Sequence, residues 1–158
     1  MRDTKSLVIK ILLTLFLAAF LIFLCTRDRA KDVPVEKIAE GMKSSSVSEM
    51  PGREKGDLKR YYSIQDFDTE GFVFYKDVSP MSVNEFLVVK AATKDKAIEF
   101  SEACESHMDA QKSVFASYGT DQMALLGKAY VGSLGNYAYY ICGPDAAKWY
   151  KSLMDIIK

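Results

Sequence analysis

Apolar residues follow three different patterns along this chain. From Leu7 to Cys25 they form one nearly continuous run of 19 residues, interrupted in charge only by Lys10. A helix that crosses a bilayer needs about 20 apolar residues at 1.5 Å rise each, so the run predicts a transmembrane helix. Lys10 stands near one end, where its stem can reach the headgroups. After this run the pattern turns amphipathic. Val35, Ile38, Ala39 and Met42 keep a spacing of three and four, which predicts a helix opened by Pro34. Short aromatic and β-branched runs then predict strands at 71–78, 85–92, 129–134 and 137–142.

Between the two strand pairs, 94–118 reads as a long helix. Its expected stripe is Ile98, Ser101, Cys104, Met108, Gln111 and Phe115, with Gly119 as the stop. Thr120 is expected to cap a short helix ending near Gly127. Gly135-Asn136 predicts a hairpin turn. A last helix follows Gly143-Pro144-Asp145, with Ala146, Trp149, Tyr150, Leu153, Ile156 and Ile157 facing inward. Residues 44–56 are polar and predict a mobile loop, followed by a helical turn near 57–62. Two successive ββα units share a faint repeat, KDKAIEF at 94–100 and PDAAKWY at 144–150. The expected fold is α+β: a four-stranded antiparallel sheet (two ββα units) with helices packed on one face, preceded by a single transmembrane helix.

The apolar run also bears on processing. Leu24 precedes Cys25 where a lipoprotein signal needs a small residue, and Ile22 and Phe23 are poor cleavage positions. An uncleaved anchor at about 7–25 is expected, with residues 26–32 as a charged linker. Arg2, Lys5 and Lys10 at one end nearly balance Arg27, Arg29 and Lys31 at the other. The N-terminal amine tips the count toward a cytoplasmic tail, with residues 33–158 as an extracytoplasmic domain. The expected location is the cell membrane, single-pass, with the bilayer as partner of residues 7–25.

Charge removes one class of function. Beyond residue 32 there are 15 basic and 18 acidic residues, a net charge of −3. This is no footprint for a polyphosphate backbone, so no nucleic-acid partner is expected. The three cysteines form no CxxC or Cys/His cluster, which leaves no zinc site. Cys104 and Cys142 read as two separate buried thiols, with a disulfide between them left open.

Three stretches, MSVNEFLVVK (81–90), QKSVFASYGTDQMALLGKA (111–129) and GNYAYYICG (135–143), resemble an uncharacterised bacterial family. Its members are short proteins with an N-terminal signal or anchor and one domain of unknown function. The resemblance covers roughly 33–158. It rests on a strand ending in Lys90, a helix carrying Gln111, Lys112, Phe115 and Tyr118, and a hairpin at Gly135, Asn136 and Tyr137. Many relatives look like lipoproteins, and Cys25 departs from that pattern. The resemblance implies an extracytoplasmic domain and implies no activity.

Searching for chemistry returns little. The single histidine, His107, reads as a partly exposed helical residue. No GxSxG, SxxK or phosphate-binding glycine loop occurs. Asp66, Asp68 and Glu70 read as a solvated acidic loop, and Glu99, Glu102 and Glu105 as the wet face of the long helix. Gln111 is the exception, because it falls on an apolar helix face and needs partners there. In one reading Gln111 satisfies loop carbonyls while Tyr118 and Asn136 fix turns. In the other, Lys90, Gln111, Tyr118 and Asn136 line a ligand pocket at one end of the sheet. We expect no enzyme, no cofactor and no metal. The expected function is a membrane-anchored extracytoplasmic binding or protein-interaction module of the bacterial envelope. The alternatives are an accessory subunit of a membrane complex, with Phe16, Phe20 and Phe23 as a contact face, and an enzyme of unrecognised chemistry.

Overall fold

The computed structural model describes residues 2–27, 29–65 and 69–158. Helix α1 (Arg2–Arg27) contains Ser6–Phe23, whose mean hydropathy is 2.6 and of which nothing is buried. It is long and apolar enough to cross a bilayer.

The rest is built on one antiparallel sheet of strands β1 (Thr69–Lys76), β2 (Glu85–Ala91), β3 (Tyr130–Leu134) and β4 (Tyr137–Cys142), in the order β1-β2-β4-β3. Helices α2 (Val35–Met42), α3 (Lys55–Tyr62), α4 (Lys94–Phe115), α5 (Thr120–Leu126) and α6 (Ala146–Ile157) surround it. The α+β class and the four-stranded antiparallel sheet are as the sequence pattern predicts. The helices, however, cover both faces, which corrects the one-faced expectation. Leu87, Val89, Phe74, Ala138 and Tyr140 pack under α3, α4 and α5. Phe86, Val88, Val73, Tyr137 and Ile141 pack under α2 and α6. The central strands β2 and β4 are apolar on alternate and intervening positions alike, so each needs cover on two sides. The repeat 94–100/144–150 therefore starts helices on opposite faces and describes no symmetric duplication.

Three further expectations change. Residues 44–56 are pinned along the sheet edge. Val47 is fully buried in a 3-10 turn at Ser46–Glu49, Arg53 N–H donates to Phe74 O at 2.8 Å, and Gly52 bridges Tyr75. On α4 the buried stripe is Ala97, Phe100, Ser101, Cys104 and Phe115, while Ile98 is exposed. Thr93 caps this helix by accepting from Lys96 N–H at 3.2 Å. Gly119, not Thr120, caps α5. Cys104 and Cys142 are free buried thiols; burial raises the first strongly and the second to about 11.

The segment after α1 is tied to one end of the sheet. Lys31 N–H donates to Ile157 O at 2.8 Å. The Tyr137 hydroxyl, fully buried, accepts from Val33 N–H at 2.7 Å and donates to Val33 O at 2.6 Å. Asp32 pairs with Lys90 at 2.5 Å. Gly135 lies at φ 57, and a Cβ there would come within 2.8 Å of Ala30 Cβ, so turn geometry and close approach both call for glycine. Replacing Tyr137 with Phe strands the buried Val33 amide and carbonyl. We expect a loss of about 1–3 kcal/mol and a melting point lower by several degrees in thermal unfolding.

Candidate functional site

The opposite end of the sheet holds a buried carboxylate. β1 and β2 pair in register from Gly71–Lys90 to Lys76–Glu85, so Lys76 and Glu85 are direct cross-strand partners. Glu85 shares its sheet face with Leu87, Val89 and Ala91, and it is completely buried. Helix α4 begins beyond Ala91 and runs back over the sheet, which carries His107 and Gln111 above Glu85. Helix α3 brings Tyr62 from the side.

Four donors converge on this carboxylate. Tyr62 O–H reaches Oε2 at 2.5 Å, and Gln111 Nε2 reaches Oε1 at 2.9 Å. His107 Nε2 lies 3.0 and 3.2 Å from the two oxygens. Lys76 Nζ is in contact with Oε1. A carboxylate offers about four lone-pair positions, so these donors occupy its full accepting capacity. Tyr140 O–H then donates to Gln111 Oε1 at 2.7 Å, which fixes the amide orientation and links β4 to the set.

Protonation states follow from the geometry. Nε2 faces a carboxylate, so the neutral His107 ring carries its hydrogen there. A second proton would leave an unbalanced positive charge beside Lys76 in a buried place. Burial first, and the Lys76 charge next, lower the His107 pKa to about 4, against the opposing pull of the Tyr61 backbone. Burial, then the Arg53 guanidinium, lowers the Lys76 ammonium below its ordinary range. Burial pushes the Tyr62 and Tyr140 phenols well up, so both remain donors. His107 Nε2 is held on Glu85, and the four donors fill that carboxylate's accepting positions.

The network forms part of the floor of an open groove with a volume of about 400 Å³. Arg60 and Tyr61 of α3 make one wall. Ala110, Gln111, Val114 and Phe115 of α4 make the other, and Ser79, Pro80 and Ser82 form the rim. Lys76 and His107 reach it with side chains 11% exposed each.

The four residues singled out from the sequence do not gather in one place. Gln111 belongs to the groove, although its partners are Glu85 and Tyr140 rather than loop carbonyls. Lys90 and Asn136 lie together at the other end of the sheet. There Lys90 binds Asp32 and Glu70, and Asn136 Nδ2 donates to Ala91 O at 3.4 Å. From Glu85 to Lys90 the strand covers about 17 Å. Tyr118 is exposed and rests against Phe115. Asp66 and Asp68 lie outside the described residues, and among the described residues no group of three metal-ligating side chains occurs.

Sequence reasoning missed Glu85, Lys76, Tyr62 and Tyr140; His107 is partly exposed as expected, and what was missed is its contact with Glu85. The signal lay in strand parity and helix spacing. Glu85 is in phase with Leu87 and Val89, and His107 stands three after Cys104 and four before Gln111.

A domain built this way, with one sheet, two helical layers and a groove over a buried ion pair, belongs by sequence to a recognised family. The family model for a domain of unknown function, DUF4358, matches residues 43–143, and the chain is a member of that family. The matched segment contains every residue of the Glu85 network, whereas α2 and α6 fall outside it. Neither a curated protein nor a solved structure matches the chain.

The buried imidazole gives the fold an acid-sensitive window. An unfolded histidine titrates near 6.5, whereas folded His107 does so at about 4. Between these values only the unfolded chain takes up the proton, so stability falls as the pH falls from 6.5 to 4. The loss due to this residue is about 3 kcal/mol and stops below the folded value. Urea unfolding followed by the fluorescence of Trp149, the single tryptophan, measures it. A His107→Gln variant should lose distinctly less stability across that window than the native protein. Equal losses would contradict a buried neutral imidazole.

Proposed function

We propose that this protein is a membrane-anchored binding module of the bacterial cell envelope, with α1 as an uncleaved anchor and the α+β domain on the extracytoplasmic side. The observation that carries the reading is the groove above Glu85. It is open, it has a floor of buried polar groups held in fixed orientation, and it lies at the end of the sheet away from the tether. Four donors fixed on one buried carboxylate are a costly way to stabilise a core. They are a good way to hold Lys76, His107 and Gln111 still beneath a ligand. A groove of this volume falls in the range of about 300–1,000 Å³ common to small-molecule sites.

The anchor and the binding role are tested separately. Val78, 74% exposed in the β1–β2 connection, is a suitable place for a cysteine in a Cys25→Ser background, because Cys104 and Cys142 are buried. In spheroplasts, Val78→Cys should react with a membrane-impermeant maleimide, and the full-length chain should stay in the membrane fraction. Protection until the cells are lysed would reverse the orientation. For the groove, Ala110→Trp fills the space from an exposed helix position. The variant should melt within about 2 °C of the native protein, the usual scale of an exposed substitution. It should also lose any small molecule that native mass spectrometry finds on the detergent-extracted native chain. Identical retention by both proteins would remove the groove as the site.

A further inference from the structure

We infer that the groove takes a small organic anion, a carboxylate joined to a compact apolar body. The inference rests on the binding role proposed above and specifies its ligand.

Charge decides the class. Two cationic side chains, Arg60 and Lys76, line the groove, and no carboxylate does so among the described residues. Glu85 lies beneath the floor with zero exposure and its accepting positions occupied, and Asp77, next to the rim, already accepts from the Ser79 N–H at 3.2 Å and from the Ser82 side chain. A cationic ligand would meet the positive charge of Arg60 and Lys76. An anion would meet Lys76 Nζ, which has three protons and spends one on Glu85. It would also meet the Arg60 guanidinium, which sits 5.4 Å from the Tyr61 ring centroid, with Lys76 Nζ 5.1 Å from the same centroid. Both cations thus lie close to one ring of the groove wall. Gln111 has a second amide hydrogen beyond the one given to Glu85, and the Ser79 hydroxyl stands at the rim.

The rest of the wall sets the body of the ligand. Pro80, Ala110, Val114 and Phe115 present carbon opposite the charged side, and Val114 is 56% exposed. An inorganic anion would leave this surface wet. A carboxylate with a phenyl or short alkyl group would cover it, and the gain grows with the apolar area removed from water. The ligand adds a second anion to Lys76, so binding opposes the lowering that burial imposes on this ammonium.

The single histidine makes the test site-specific, because one imidazole resonance reports the groove floor. The full-length chain in nanodiscs is titrated with phenylacetate and hexanoate, and in parallel with phenylacetamide and hexanamide. At least one carboxylate should shift the His107 resonance saturably and bind about tenfold more tightly than its amide. Arg60→Gln, an exposed change, should lower that preference without altering the melting point. Lys76→Met combined with Glu85→Gln removes both buried charges together and should abolish the preference. If amides and carboxylates shift His107 with equal affinity, the groove binds ligands but the anionic class is wrong. If no compound shifts His107 at all, the binding role of the groove fails as well. A preference unchanged in both variants also overturns the assignment of Arg60 and Lys76.

Discussion

The Lys76–Glu85 ion pair is the contact on which the groove end of this domain depends. It joins β1 to β2 across the sheet, and the carboxylate then collects Tyr62 from α3 and His107 and Gln111 from α4. Tyr140 of β4 closes the set through Gln111. Five elements thus meet on one buried charge. Removing Lys76 alone would leave Glu85 uncompensated in a place where water cannot reach it, at a cost of about 3–5 kcal/mol. The same desolvation sharpens geometry. Each donor has one acceptor to satisfy, so α3 and α4 cannot slide along the sheet without breaking a bond inside a low-dielectric interior.

That constraint explains which parts of the molecule were legible in the sequence. The anchor helix, four strands and the α4 and α6 helices follow from period alone, because their apolar positions are dense. The layer arrangement was not legible. Val88 and Val89 are both buried, and an apolar run of this kind looks the same whether one face or two are covered. α2 reads as an ordinary amphipathic helix, and nothing local says which side of the sheet it closes. The 44–56 segment was misread because its polar composition hides one decisive side chain, Val47, and backbone bonds to β1 that no composition reveals.

The site divides in a similar way. Gln111 stood out because a polar residue interrupted an apolar helix face, and it does belong to the network. Glu85 opens its strand, where a charged residue usually marks the edge of solvent. Its burial arises only when β1, β4 and α4 arrive, all from distant parts of the chain. Lys90 looked similar by sequence, yet it ends at the tether. There Asp32, together with Glu70, holds it as a cation and raises its pKa. Two lysines at two ends of one β-ladder therefore do different work: one secures the linker, the other floors a groove.

The separation of these ends follows from connectivity. The chain leaves α1 at Arg27 and is bonded to the domain at Lys31, so that bond lies within about 14 Å of chain from the helix end. β2 then carries the backbone away from that point, and Glu85 starts the strand at its far end. A tether this short restricts how the domain turns relative to α1, and Tyr137 restricts it further by clamping Val33. The Glu85 network and the groove above it therefore stand at the end of the β-ladder remote from Lys90, Asp32 and the linker.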